Sequence, residues 1–325
     1  MSTEAEALVP GDLADEPVRP EVHLTAADRG FRLLATAAAS VSLVVVSATL
    51  IFLVDKSRPA FAKSGIVNFF TESVWNPSTG RFGVLGLVEG TLIIATISML
   101  IAIPLGVSMA LFINEYAPYR IRGILTTMID LLAALPSIIF GLWALAALQA
   151  HLAPVARFLG AHLSVVPFLR IPDGSALVGS SFIAGVVVSI MVLPIITAVT
   201  RDVMAQVPRE QCEGALALGG TRWGMIRDVV LPFSRSGIVG ASLLGFGRAL
   251  GETIAVAIVI SPIVKANTHV LTGGASSVAA HIAGHFGEAD SLERSGLVAA
   301  GLALFLLTFV VNIGARAIVR RAAVE

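Results

Sequence analysis

An all-α, polytopic membrane protein with about six transmembrane helices is the fold class this sequence predicts, and three observations predict it. The 325 residues are 56% hydrophobic, only 14% are charged, and the mean hydropathy is +0.87. A soluble domain of this length carries about 25% charged residues. Six segments, roughly 33–54, 84–114, 124–150, 177–200, 237–262 and 296–316, are apolar over about the 20 residues needed to cross the hydrocarbon core. The 22 basic residues fall mostly between those segments.

Composition also narrows function. A net charge of zero gives no sign of a nucleic-acid partner. The single cysteine, Cys212, excludes an internal disulfide and a cysteine-based metal cluster. Residues 1–32 are polar and acidic, with Glu4, Glu6, Asp12, Asp15, Glu16 and Glu21, and lack the short apolar core of a signal peptide. They are expected to form a disordered cytoplasmic tail ahead of one membrane domain, 33–325.

The elements follow in order. The second apolar segment contains Pro104 and several glycines, so a tilt or kink is expected there. The third holds Leu135-Pro136-Ser137 inside one continuous helix, with Asp130 an interfacial polar contact near its inner end. With the N-terminus inside, the inner segments carry 13 Arg and Lys and the outer segments 8. That bias places both termini in the cytoplasm. The outer loops 55–83, 151–176 and 263–295 are rich in Gly, Pro, Ser and His.

The inner loop 201–236 divides into two short helices. Pro208 suits the first turn of the first, and Glu210 and Glu213 favour its positive end. Gly219-Gly220 stops it. Thr221 caps the second helix, which Pro232 ends, unless it opens the next membrane segment. The fifth apolar segment carries Arg248 and Glu252. Their i,i+4 spacing puts them on one helical face. A lone charge at the bilayer centre costs roughly 2.5–3.5 kcal/mol, so a facing pair or a water-filled path is expected. Gly240, Gly245, Gly247 and Gly251 nearby allow close helix approach. A guanidinium fork matches a tetrahedral oxyanion. The readings open at this point are an anion pathway and a structural salt bridge.

Two motifs carry a family resemblance. Glu213-Gly214-Ala215, three residues, Gly219, nine residues, Val229, one residue and Leu231-Pro232 resemble the EAA loop of ABC-importer permeases. Gly214 and Val229 depart from the usual Ala and Ile, and Gly214 loosens its helix by up to about 1 kcal/mol. Gly247-Arg248-Ala249-Leu250-Gly251-Glu252-Thr253 resembles the signature of phosphate permeases of the Pst system. Trp75-Asn76-Pro77, Phe82-Gly83, Gly90-Thr91-Leu92, Glu115-Tyr116-Ala117 and Phe140-Gly141-Leu142 are similar to the PstC type. The resemblance runs from about residue 30 to the end.

It implies a type I (MetI-like) ABC-importer permease fold, with phosphate passing Arg248 and Glu252. The loop 205–232, through Glu213, Gly214, Ala215, Gly219, Leu231 and Pro232, would be the coupling segment that docks on the ATPase. The implied partners are a homologous PstA-type permease subunit, two PstB-type ATPase subunits, a periplasmic or lipid-anchored phosphate-binding protein and membrane lipid. The chain has no Walker A frame around Lys56, Lys63 or Lys265. It is therefore expected to be no enzyme and to bind no cofactor, with ATP used by a partner subunit. A permease for another oxyanion, sulfate or molybdate, and an ion-coupled secondary transporter are the alternatives.

Other signals are read as structural. Gly245-x-Gly247-x-x-x-Gly251 has the wrong spacing for a dinucleotide fingerprint. His281 and His285, near Glu288 and Asp290, share a helical face but read as a solvated outer loop rather than a zinc site. Trp143 and Trp223 pack or anchor.

Overall fold

The computed structural model describes residues 25–163 and 165–322. The acidic stretch expected as a tail lies, up to residue 24, outside the described residues, as do Arg19 and the side chains of Arg316, Arg320 and Arg321. The chain divides at Leu50 and Ile51 into two units.

In the first unit, helix α1 (Ala26–Ser64) takes in the last seven residues of the segment expected to be disordered. Thr25 and Asp28 form a reciprocal cap: Asp28 N donates to Thr25 Oγ1 at 3.3 Å, and Thr25 N donates to Asp28 Oδ2 at 2.9 Å. Two orphan donors are satisfied at once, which fixes the start. The 1–32 boundary is corrected accordingly. Apolar side chains such as Phe31, Leu33 and Leu34 are exposed along this helix.

The second unit opens on the rest of α1. Pro59 lies inside the helix, and the Ser295 hydroxyl is inserted into its ladder beside it. Ser295 Oγ donates to the Lys56 carbonyl at 2.8 Å and accepts from Ala60 N at 3.0 Å. Those two groups would otherwise bond each other. Helix α2 (Ile66–Thr71) and the hairpin β1 (Trp75–Asn76) and β2 (Arg81–Phe82) follow, in the register Trp75↔Phe82.

Then come α3 (Leu85–Tyr116), α4 (Tyr119–Ala134), α5 (Ser137–His162), α6 (Ser181–Met204), α7 (Arg209–Ala217), α8 (Arg222–Leu250), α9 (Ile254–Val259), α10 (Val278–His285) and α11 (Ser291–Ala322). Of these, α1, α3, α5, α6, α8 and α11 are long and apolar enough to cross a membrane. The expected six spans are present.

Three boundaries differ from expectation. The third apolar segment is two helices: Leu135 and Pro136 are extended between α4 and α5. Proline disfavours the helical region for the residue before it, and a continuous apolar run conceals that break. The fifth helix starts at Arg222 and stops at Leu250, so 251–253 is a break. Pro104 lies within α3 without ending it. Three membrane helices contain a wide π-turn: Phe112–Tyr116, Ala144–Leu148 and Ile226–Val230. The last directly precedes Leu231, and Pro232 sits in the first α-helical turn of Leu231–Leu250, so α8 passes through it unbroken.

The core lies where α3, α6 and α8 meet, with α5, α9 and α10 against it, around Ile94, Met99, Val187, Met191, Ile196 and Leu250. Glycines set the spacing. A Cβ on Gly106 would lie 2.9 Å from Ile196, on Gly185 2.6 Å from Ile97, and on Gly245 2.7 Å from Val192. A second cluster joins the hairpin to α10 and α11 through Phe69, Phe82, Leu87 and Ala299. A third gathers Ala110, Met204, Met225, Ile226 and Val230 beneath α7.

Candidate functional site

Arg248 stands on the last turn of α8, and its side chain is exposed. Glu252 does not share that helical face. Gly251 N still reaches the Gly247 carbonyl at 3.3 Å, but Thr253 has left the helix and α9 starts at Ile254. Glu252 is only 8% exposed, and its Oε1 accepts from Ala255 N at 3.4 Å. The carboxylate has been captured by a free N–H at the start of α9, where the helix dipole also favours negative charge. Among the described residues no ion pair joins Arg248 to Glu252. The expected face-sharing pair is corrected to a free arginine beside a buried, capping carboxylate.

The glycines around Arg248 also separate into roles. Only Gly245 mediates close helix approach. Gly240 and Gly247 have nothing within 4 Å of where a Cβ would stand, and Gly251 meets only carbonyls of its own helix. Helix α9 is held against α5 because Gly141 lets Ala255 approach: a Cβ there would be 3.0 Å from the Ala255 Cα. Its far end is held by Gln149, a buried residue that sequence reasoning missed. Gln149 Nε2 donates to the Val259 carbonyl and its Oε1 accepts from Gly179 N, both at 3.3 Å.

The loop 201–236 folds as two helices, as its capping residues predict. Pro208 takes the N-cap position of α7, one residue earlier than expected. Gly219 adopts a φ of +85°, and its N–H and that of Gly220 return to the Leu216 and Ala215 carbonyls. Thr221 Oγ1 accepts from Gly224 N at 3.1 Å and caps α8. Ala215 and Leu231 pack into the cluster beneath α7. Glu213, Gly214 and Pro232 are exposed. Leu218 and Trp223 are exposed by 92% and 61%, an apolar edge on an otherwise polar segment. Burial first, then the Glu115 and Glu213 carboxylates, push the Cys212 thiol above its ordinary pKa.

Several discounted residues take defined places. Asp130 lies on α4, 4.0 Å from the Arg201 guanidinium. His281 is not solvated: it is 3% exposed, and its ring lies 4.8 Å from that of Trp75 and 4.2 Å from that of His285. Among the described residues no group of three potential ligands could hold a metal ion.

Residues 102–324 match the family of binding-protein-dependent transport system inner membrane components. The chain belongs to this family. It falls in the PstC branch: it is 40% identical over 312 residues to phosphate transport system permease protein PstC 2 of Mycobacterium tuberculosis, covering 93% of this chain and 96% of that one. It is 39% identical over 297 residues to phosphate transport system permease protein PstC of Xylella fastidiosa, with 91% of each covered. A crystal structure of a bacterial ABC transporter involved in import of the acidic polysaccharide alginate shares the fold, with a TM-score of 0.59 at 18% identity, over 90% of this chain and 96% of that one. The permease is thus a multi-pass inner-membrane subunit with the type I importer fold.

Proposed function

We propose that this permease subunit forms half of the path by which an ATP-driven importer carries inorganic phosphate across the cytoplasmic membrane. The observation that carries the reading is Arg248: an exposed guanidinium without an acidic partner among the described residues, at the end of a membrane-length helix. A permanently charged, planar donor fork attracts a tetrahedral oxyanion and binds it through paired hydrogen bonds. The nearby Glu252 fixes the break that ends α8, and its negative charge weakens anion binding enough for release.

The segment 205–232 is the coupling loop. Glu213, Gly214, Ala215 and Gly219 present the bend to an ATPase subunit, while Leu231 and Pro232 join it to α8. The partners are a PstA-type permease, two PstB-type ATPase subunits and a phosphate-binding protein outside, with both termini in the cytoplasm. ATP is consumed on the ATPase subunits.

The test is ATP-dependent uptake of radiolabelled phosphate by the assembled complex. Arg248→Ala is expected to abolish uptake and leave assembly intact; unchanged uptake removes the residue from the path. An assembled, ATP-hydrolysing complex that imports sulfate or molybdate instead moves the substrate to that oxyanion. Uptake that persists without the ATPase overturns the importer reading.

A further inference from the structure

The inner end of α3 ends in the wide turn Phe112–Tyr116, closed by Ala117 N on the Phe112 carbonyl. Pro118 follows, and a proline has no N–H to continue the ladder. The carbonyls of Asn114 and Glu115 therefore need partners from elsewhere. Both receive arginines, from two different helices. Arg122 of α4 donates to the Asn114 carbonyl, and Arg222 donates to the Glu115 carbonyl at 3.2 Å. The Asn114 side chain in turn donates to the Arg201 carbonyl of α6 at 2.8 Å. One turn thus ties α4, α6 and α8 to the end of α3.

Arg222 has a particular place in this arrangement. It is the first residue of α8, next to the capping Thr221 and two residues beyond Gly220. The chain passes from α7 into the membrane helices there, through the short link Leu218–Thr221. The apolar side of α7 rests on the cluster of Ala110, Met204 and Ile226, but that contact is non-directional. A charged donor on a carbonyl is directional and short-ranged.

We propose that the Asn114–Glu115 turn is a transmission node, and that Arg122 and Arg222 are positioning residues that convert movement of the inner loop into movement of α3 and α4. The inference rests on the reading of 205–232 as the coupling loop. A merely structural role would lower uptake and ATP hydrolysis together. A transmission role separates them.

The experiment measures ATP hydrolysed per phosphate imported by the reconstituted complex. Arg122→Gln and Arg222→Gln are each expected to raise that ratio severalfold, and Arg122→Lys, which keeps a charged donor, to restore part of the loss. Arg120→Gln, on the same helix but with no partner among the described residues, is expected to keep the wild-type ratio. Arg122 lies outside the inner loop, so its variant stays informative if Arg222→Gln fails to assemble. A wild-type ratio in Arg122→Gln, or an equal rise in Arg120→Gln, overturns the proposal. Capture of the ATPase subunit separates it from the underlying reading. Glu213→Lys is expected to lose the ATPase and Arg122→Gln to retain it. An ATPase retained by Glu213→Lys removes the coupling loop and the node with it.

Discussion

His281 is buried against the rings of Trp75 and His285, with neither of its own ring nitrogens hydrogen-bonded. Burial, and then the neighbouring His285, lower its pKa from 6.5 to about 4. The unfolded chain therefore binds a proton between those values that the folded chain does not. Stability is at its full value above about pH 6.5 and is lost as pH falls from 6.5 toward 4. His281→Phe, which keeps an aromatic ring beside Trp75, is expected to flatten the acid limb of thermal stability in detergent. An unaltered limb would place the effect elsewhere. Two glycines give an opposed pair. Gly245→Ala drives a methyl into Val192 and Ile196 and is expected to cost the isolated chain about 1–3 kcal/mol. Gly247→Ala meets open space and is expected to be neutral or to stabilise the helix by up to about 1 kcal/mol. Melting temperatures of the two variants compare them directly.

At the scale of elements, the inner loop offers a single-site probe. Cys212 is the only cysteine and lies on α7, where burial and then the Glu115 and Glu213 carboxylates raise its pKa. Less thiolate is present at neutral pH, so alkylation is expected to be slower than for a free thiol and to rise only at higher pH. Docking of an ATPase on this segment would protect it, and labelling that ignores added ATPase would speak against docking there. This loop was the most legible part of the chain, because its punctuation is local: Gly219 at positive φ, Thr221 as a cap, Pro208 at the entrance. The breaks at Pro136 and Gly251 were less legible for a physical reason. Hydropathy averages over a window, and both interruptions lie between apolar runs, although the restriction that Pro136 puts on Leu135 was a readable signal. The Arg248–Glu252 spacing misled because it assumed a helix that ends between the two residues. The arginine contacts on Asn114 and Glu115 had no signal at all, since carbonyl partners leave no pattern in side chains.

For the molecule as a whole, six membrane-length helices were legible from composition and apolar length. Which of their faces pair was not, because lipid-facing and partner-facing surfaces are equally apolar. The orientation is testable: reporter fusions at both ends are expected to be active only in the cytoplasm, and an opposite result would invert the assignment of inner and outer loops. The wide turns give the architecture a further property. Each adds one residue to a helix whose residues otherwise advance by about 100° apiece. The Ile226–Val230 turn therefore sets the rotational phase of everything after it in α8. Removing one residue there would restore a regular helix and swing Arg248 about a quarter-turn around the axis. The direction in which the charge faces is thus counted out near the start of the helix, some five turns before the charge itself.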